Sequence, residues 1–290
     1  MKSYKIRLYD ELDSTNNEAK RLVREAMATG ATDISDLLRT SCASSASKTT
    51  DLFNAVGTAA ATGEPCLTDA TNTNQVLSAL YETGIVARRQ SAGRGRRGRG
   101  FFSPGGNSIY ASFILKPPNN PCEQLVTVSA AVAVCKAIEK TTSHKPDIKW
   151  INDVLIDGKK ICGILAETIP NAVILGIGIN INLNENDLPA ELRGIVGSIV
   201  LNEIERKILF DTLAETVFQN ATTFTSSAII GEYRARSILL GKYIYVFQNN
   251  ERQRAFATNV ADDGALIVKY ENGIVETLRS SEVSVSLAPD

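Results

Sequence analysis

The sequence of 290 residues contains a single histidine, His144, and none of its cysteines are paired at CxxC spacing. His144 lies in the polar stretch TTSHKPD, where a solvated surface position is expected. Ser-His-Asp and Cys-His catalysis and histidine-rich metal sites therefore have almost no residues to draw on. Any chemistry must depend on lysine, arginine, aspartate, asparagine and backbone groups.

The chain also lacks an apolar run of the roughly 20 residues that a membrane helix needs, and its N-terminal stretch has no signal-peptide core. The five cysteines leave one over if they were to pair, which favours reduced thiols. They are Cys42, Cys66, Cys122, Cys135 and Cys162. We therefore expect a cytoplasmic protein without a membrane partner.

Composition is that of an ordinary globular protein, with 43% hydrophobic residues, 22% charged residues and a net charge of -1. The length allows one large domain with a small one, or two domains of ordinary size. Residues 31–83 differ in composition from the rest of the chain, being rich in Ala, Ser and Thr. They are interpreted as an inserted subdomain or a mobile surface segment.

Hydrophobic periodicity predicts the elements before residue 235. Strands are expected over YKIRLY, IVARRQ and SIYASFIL, then two strands around the turn Asp157-Gly158, and NAVILGIGININL should be a central strand. Ser14, Thr15 and Glu18 form a capping-box-like helix start. Two further helices are predicted from apolar residues at helical spacing. These are Leu125, Val128, Val132, Cys135 and Ile138 in the first, and Ile204, Ile208, Leu209, Leu213 and Val217 in the second.

Five short β runs follow Tyr233, namely GKYIYVF, QRAFATNV, ALIVKY, IVETLR and VSVSL. Runs of this kind separated by Asn and Gly turns indicate a small β-barrel. The predicted fold class is therefore α+β. A mixed β-sheet domain with packed helices (1–235) is followed by a small Src-homology-3-like barrel (236–290).

Positive charge is concentrated in residues 88–106, RRQSAGRGRRGRGFFSPGG, which have six arginines in their first twelve positions. Arginine offers a planar fork that matches phosphate and carboxylate oxygens, and glycine lets the backbone approach a ligand closely. A nucleic-acid-binding arm is one interpretation. However, the loop joins two predicted strands, the rest of the chain balances its charge, and no aromatic residue is interleaved among its arginines, so a small anionic target is favoured.

Two other stretches combine polar groups with small residues. In KWINDVLIDGKKICGIL (149–165), a tight turn brings carboxamide, carboxylate and ammonium groups together, although a surface hairpin with a salt bridge is the simpler explanation. In ILGIGIN, the glycines at 176 and 178 weaken a strand unless something packs flat against the backbone, and core packing is the alternative.

Four stretches taken together resemble the biotin protein ligases, which attach biotin to biotin-dependent carboxylases. They are DSTN (13–16), RQSAGRGRRGRGFFSPGGNSIYASFIL (89–115), KWINDVLIDGKKICGIL (149–165) and GIGININL (176–183). Their order and nearly all of their spacing match the family, as do the closing β runs. The GRGRRGR loop is the most specific of the four, and the resemblance covers the chain except for about residues 31–83.

The resemblance implies a two-step reaction in which biotin and MgATP give biotinyl-5'-AMP, and an acceptor lysine then takes the biotinyl group. It implies the catalytic residues Arg96, Lys160, Asp153 and Asn152. The biotin-binding residues implied are Ser14, Thr15, Asn16, Gln90, Gly93, Arg94, Arg96, Lys160, Gly163, Gly176 and Gly178. The ATP-binding residues implied are Arg94, Arg96, Arg97, Arg99, Phe101, Lys149, Asn152 and Asn180. Mg²⁺ is expected to arrive with ATP, near Asp153.

Three departures from the family pattern concern the site. Phe101 stands where relatives usually have tryptophan, and Ile151 where they have proline. DSTN lies further from the arginine loop than usual, and a near copy, DATN (69–72), lies at about the usual distance. The first copy is favoured because it follows the opening strand. If the second copy served instead, Thr71 and Asn72 would replace Thr15 and Asn16.

The expected partner is the biotin carboxyl carrier protein or domain of acetyl-CoA carboxylase. No helix-turn-helix module precedes the resemblance, so a short form without an N-terminal DNA-binding domain, and no nucleic-acid partner, is expected. The sequence leaves open whether the protein forms a homodimer. The alternatives are a lipoate-protein ligase of related fold, or a nucleic-acid-binding module that uses the arginine loop.

Overall fold

The structure, a computed structural model, describes residues 4–29, 71–81, 83–118, 123–221, 226–248, 251–279 and 283–288. Most of the stretch interpreted as an insertion (31–83) lies outside these residues. The interpretation of that stretch therefore stays a prediction. Only its last part, a helix and the start of a strand, belongs to the fold described below.

Seven strands form the larger sheet. They are β1 (Lys5–Leu12), β2 (Thr83–Gln90), β3 (Ile109–Leu115), β4 (Asp147–Lys149), β5 (Asp153–Ile156), β6 (Lys159–Ile169) and β7 (Ala172–Ile179). Their order is β1-β2-β3-β7-β6-β5-β4, with β1 and β2 parallel and the remaining pairs antiparallel. β7 is the middle strand and all eight of its residues are buried, which confirms the predicted central strand.

The stretch 147–169 forms three strands where two were predicted. A turn at residues 150–152 separates β4 from β5, because Trp150 and Ile151 are buried there instead of alternating along a strand. The predicted turn Asp157-Gly158 joins β5 to β6, and both residues have positive φ, 51° and 74°. Paired positive φ values are typical of tight hairpins whose twist matches the flanking strands.

Helices pack on both faces of this sheet. Within the described residues they are α1 (Thr15–Thr29), α2 (Thr71–Leu80), α3 (Glu123–Thr141), α4 (Glu203–Asn220) and α5 (Ser227–Arg236). Neighbouring residues of β3 point to opposite faces, so Phe113 packs with the α3 and α4 side chains and Ile114 packs with α1. Nowhere in the described part of the chain is a helix both long and apolar enough to cross a membrane.

The prediction of which residues of α4 are buried is partly wrong. Ile204 and Ile208 are 72% and 45% exposed, whereas Leu209, Leu213 and Val217 are buried as predicted. The buried face continues through Phe210, so the apolar stripe is rotated away from the two isoleucines. α5 was not predicted from the sequence.

Five strands form the second sheet, in the order β11-β10-β9-β8-β12. They are β8 (Tyr243–Gln248), β9 (Glu251–Val260), β10 (Leu266–Tyr270), β11 (Val275–Leu278) and β12 (Ser284–Leu287), and all pairs are antiparallel. Each corresponds to one of the five predicted β runs. The predicted fold class, a mixed sheet with packed helices followed by a small Src-homology-3-like β-domain, is confirmed.

Hydrogen bonds tie the loop after β9 to the larger sheet and to the helix α3 that packs on it. Trp150 Nε1 donates to the carbonyl of Gly264 at 2.9 Å, in a buried position, and Gln124 Nε2 donates to the carbonyl of Asp263 at 3.1 Å. Trp150 lies in the turn before β5, so the small sheet is anchored beside the polar turn that the sequence analysis singled out.

Replacing Trp150 with phenylalanine should lower the free energy of unfolding by about 1–3 kcal/mol, because the buried carbonyl of Gly264 loses its donor. Denaturant unfolding followed by circular dichroism measures this. Tyr81→Phe is the control, since its hydroxyl donates to Asn171 in an exposed position and should cost at most about 0.5 kcal/mol. Equal stabilities for Trp150→Phe and the parent would contradict the anchoring role.

Candidate active site

A cavity of about 170 Å³ lies at the end of the large sheet where β2 meets the arginine loop. Fifteen of the residues implied by the resemblance line it. They are Ser14, Thr15, Asn16, Gln90, Arg94, Arg96, Arg97, Arg99, Phe101, Asn152, Asp153, Lys160, Gly163, Gly176 and Gly178. They come from stretches that are up to 164 positions apart in sequence, between Ser14 and Gly178.

The polar start of α1 forms one wall of the cavity. The backbone N–H of Thr15 donates to Gln90 Oε1 at 2.8 Å, and the Thr15 hydroxyl donates to the same oxygen at 3.1 Å. Ser112 Oγ lies 2.5 Å from Asn16 Oδ1, and Asn16 Nδ2 donates to Glu167 at 2.7 Å. This first turn is therefore held by side chains from β2, β3 and β6.

The arginine loop forms the opposite wall and is a closed turn. The N–H of Gly95 donates to the carbonyl of Arg99, and the N–H of Phe101 donates to the carbonyl of Gly93, both at 2.8 Å. At the tip, Arg97 and Gly98 have positive φ, 57° and 72°. Glycine accepts this conformation at no steric cost, which gives a physical reason for a glycine in the turn.

Arg96 is the loop arginine that turns toward β5. Its NH1 donates to Asn152 Oδ1 at 3.0 Å. Burial lowers the pKa of Arg96, and the neighbouring charges of Arg97 and Arg99 act in the same direction, while Asp153 opposes them. A guanidinium in this position is partly desolvated and repelled by its neighbours, so an anion bound beside it would be strongly favoured.

Asp153 and Lys160 form an ion pair across the β5–β6 hairpin, with 2.7 Å between Asp153 Oδ1 and Lys160 Nζ. This oxygen is buried, and it lies against the ammonium of Lys160. A carboxylate has about four acceptor positions, so Asp153 can bind a cation or an amine in addition to Lys160. The peptide bond between Trp150 and Ile151, within the turn between β4 and β5, is cis.

Three glycines make room for side chains in the cavity. Gly163 and Gly178 are register partners on β6 and β7, and a Cβ on either would lie 2.7 Å or 2.5 Å from the Phe101 ring. A Cβ on Gly176 would collide with the side-chain oxygen of Asn16. These strands thus need glycine because protein side chains approach the backbone closely, which corresponds to the packing alternative of the sequence analysis.

Three residues implied by the resemblance do not line the cavity. Gly93 packs under the loop, where a Cβ would lie 2.5 Å from Ser103 Oγ. Lys149 lies in β4. Asn180 is buried and its Nδ2 donates to the carbonyl of Gly197 at 3.1 Å. Their implied contacts with ligands stay predictions.

Sequence reasoning missed several residues at the cavity. Tyr110 and Val283 line it, and Ser112 and Glu167 bind the side chains of α1. Tyr110 and Ser112 lie in the predicted strand after the loop, so their position could have been found by alternation along that strand. Val283 lies just before β12 and Glu167 lies in the far part of β6, and no local pattern marks either one.

The first copy of the DSTN motif lies at the cavity. Ser14, Thr15 and Asn16 are 2%, 4% and 3% exposed and make the contacts described above. In the second copy, Asp69 and Ala70 lie outside the described residues, and Thr71 begins α2. The geometry therefore favours the first copy.

Comparisons with known proteins show the family and the fold that this chain resembles. The model of the biotin/lipoate A/B protein ligase family matches residues 65–184. The biotin--[acetyl-CoA-carboxylase] ligase of Paracoccus denitrificans is 31% identical over 226 residues, 71% of this chain and 93% of that protein. The bifunctional ligase/repressor BirA of Bacillus spizizenii is 47% identical over 205 residues, 66% of this chain and 63% of that protein.

The fold is also found in solved structures. Biotin protein ligase from Aquifex aeolicus, in complex with biotin and ATP, gives a TM-score of 0.66 at 22% identity and covers 98% of this chain and 99% of that one. The chain belongs to the biotin/lipoate A/B protein ligase family. Its match spans less than two thirds of the BirA proteins of two Bacillus species, 38% of the Bacillus subtilis protein and 63% of the Bacillus spizizenii protein.

Replacing Gly176 with alanine should displace Asn16 and lower the free energy of unfolding by about 1–3 kcal/mol, as other insertions into packed sites do. Thermal or denaturant unfolding measures the change. Gly105→Ala is the matched control, because a Cβ there meets nothing within 4 Å. If both variants unfold like the parent, Asn16 does not occupy the position described.

Proposed function

We propose that this chain is an ATP-dependent biotin protein ligase that makes biotinyl-5'-AMP and transfers biotin to a lysine of a biotin carboxyl carrier protein or domain. One observation carries the proposal. Fixed cations from two separate stretches, Arg96 of the loop and Lys160 of the β5–β6 hairpin, line the same cavity as the uncharged polar start of α1. Such a cavity has a charged part for phosphoryl and carboxylate oxygens and a hydrogen-bonding part for an uncharged polar ring.

In the first step, a carboxylate oxygen of biotin attacks the α-phosphorus of ATP, the bond to the β-phosphate oxygen breaks, and pyrophosphate leaves. Negative charge accumulates on the phosphoryl oxygens, so fixed cations contribute more than a titrating base. Arg96 and Lys160 supply those cations. A chain whose only histidine is the exposed His144 can therefore perform this step.

Ser14, Thr15 and Gln90 bind the ureido ring of biotin in this proposal, and Asn16 completes the biotin pocket beside them. Phe101, seated on Gly163 and Gly178, supplies the apolar ring that relatives supply with tryptophan. Its ring is edge-on to that of Tyr110, with 6.4 Å between centroids. The geometry keeps an aromatic wall at this point, so the substitution of tryptophan by phenylalanine need not remove it.

Mg²⁺ fits the site through the carboxylate of Asp153, which is partly exposed and can accept a cation in addition to Lys160. With ATP phosphate oxygens completing its coordination, Mg²⁺ would neutralise charge that develops on the phosphates. In the second step the acceptor lysine attacks the acyl carbon, the bond to the AMP oxygen breaks, and an amide forms as the amine loses a proton. Asn152 and Asp153 orient the nucleotide and the incoming amine.

We also propose that residues 1–235 form the catalytic domain and residues 236–290 the small barrel domain. Val283, the residue just before β12, lines the cavity, which supports a contribution of the barrel to closure over the nucleotide. A cytoplasmic location agrees with the free thiols of Cys135 and Cys162. No nucleic-acid partner is proposed, since Arg94 and Arg96 bind the side chains of Glu167 and Asn152.

Transfer of labelled biotin to an isolated biotin carboxyl carrier domain tests the function. We expect MgATP-dependent labelling of the carrier and no labelling by lipoate, which would be the substrate of a lipoate-protein ligase of related fold. Calorimetric titration of biotin, with and without ATP, checks binding separately. Transfer of lipoate alone would replace the proposal with the lipoate ligase, and salt-sensitive nucleic-acid affinity without biotin binding would favour a nucleic-acid-binding module.

Arg96→Ala should lose most adenylate formation, about 3–4 kcal/mol of transition-state stabilisation or roughly 100- to 1000-fold in rate, by analogy with deleted oxyanion donors. Biotin-dependent exchange of labelled pyrophosphate into ATP measures this step. Arg89→Ala is the control, because Arg89 lies at the edge of the same stretch and pairs with Glu11. Normal exchange in Arg96→Ala would reject the catalytic role of this arginine.

A further inference from the structure

Glu167 lies behind the cavity and joins its two walls. Its Oε2 accepts from Asn16 Nδ2 at 2.7 Å, and its Oε1 accepts from Lys20 Nζ at 2.6 Å and from Arg94 NH2 at 3.2 Å. The side chain is 19% exposed. One carboxylate therefore holds both the start of α1 and the arginine loop.

The charge on Glu167 is stabilised by these partners. Burial alone would raise the pKa of this carboxyl, but hydrogen bonds from Lys20 and Asn16 and the charges of Lys20 and Arg94 hold the pKa below its ordinary value. Glu167 is therefore ionised at neutral pH. An ionised carboxylate can hold Arg94 electrostatically, whereas an amide in the same place could not.

Arg94 belongs to the arginine loop and, besides Glu167, it contacts α1 directly. Its NH1 donates to Asn17 Oδ1 at 3.2 Å, one residue after the Asn16 that Glu167 holds. The far side of the loop is attached separately, through Arg96 and Asn152. The loop thus has two attachments on opposite sides of the cavity, one through Arg94 and one through Arg96. Glu167 supplies the first, and it also fixes Asn16 of the proposed biotin pocket.

We infer that Glu167 is a positioning residue that couples closure of the arginine loop to the orientation of Asn16, so that loss of its charge loosens both walls of the cavity together. The loop part of this inference rests on the contacts above. The part that concerns biotin rests on the proposed function. Glu167 itself does not line the cavity, so it acts through Arg94 and Asn16.

Hydrogen–deuterium exchange of the loop peptide, residues 91–101, in the full-length protein tests the coupling. Glu167→Gln and Arg94→Gln should each speed exchange of this peptide by up to about fivefold, the range of a partly exposed ion pair. The double variant should exchange no faster than the faster single variant. Unchanged exchange in both single variants, or additive effects in the double variant, would overturn the inference.

Glu18→Gln is the matched control, because it makes the same charge change on α1, where Glu18 binds Tyr9 and Arg21 away from the cavity. It should leave the loop peptide as protected as in the parent. Faster loop exchange in Glu18→Gln as well would show a general loss of stability and overturn the specific role. Arg94→Gln leaves the Lys20–Glu167 pair in place, so it decides the question even if Glu167→Gln folds poorly.

Kinetics add a second readout that a structural role alone would not give. Glu167→Gln should raise KM for biotin about three- to tenfold with a smaller change in kcat, as expected for weakened ground-state binding. A fall in kcat with KM unchanged would overturn the coupling to Asn16. If the parent neither binds nor transfers biotin, the proposed function fails, while the exchange experiment still decides whether Glu167 holds the loop.

Discussion

Positive charge is gathered at one end of the large sheet, and the rest of the site depends on how it is held there. Burial disfavours the charge of Arg96, and Arg97 and Arg99 repel it, while Asp153 favours it. Such a cluster is costly unless acceptors surround it. Asn152, Asp153 and Glu167 supply part of this compensation, and a bound anion would supply the rest. The cavity is therefore arranged to gain most from a ligand that carries several negative oxygens.

Closure of the site depends on the close approach of the Phe101 ring to the backbone of β6 and β7 as much as on charge. Gly163 and Gly178 face each other across β6 and β7, and Phe101 of the loop rests on both. A larger residue at Gly163 or Gly178 would displace the Phe101 ring. The loop would move with the ring, because the Phe101 N–H donates a hydrogen bond to the carbonyl of Gly93 at the base of the loop. The glycines of the two strands and the arginines of the loop therefore belong to one arrangement, although they lie more than 60 positions apart in sequence.

Much of the fold could be predicted from local patterns, because alternation and helical spacing report which side of an element is buried. The central strand β7 and the five strands of the small sheet are examples. The prediction for α4 was partly wrong because Ile204 and Ile208 are apolar but exposed, and spacing alone cannot tell which of two overlapping stripes meets the sheet. Glu167 and Val283 could not be predicted, since their place at the site depends on sheet pairing across most of the chain.

The long stretch between α1 and β2 is compatible with an intact site for a geometric reason. Thr15 begins α1 at the cavity, and Thr29 ends it 14 residues later, about 21 Å along the helix axis. The chain re-enters the sheet at Thr83, which pairs with Lys5, whereas Gln90 at the other end of β2 pairs with Leu12 beside the cavity. Thr83 is thus about 23 Å of strand away from Gln90. The chain therefore leaves α1 at Thr29 and enters β2 at Thr83, both remote from the cavity, and the polar start of α1 keeps the contacts with Gln90, Ser112 and Glu167 that orient it.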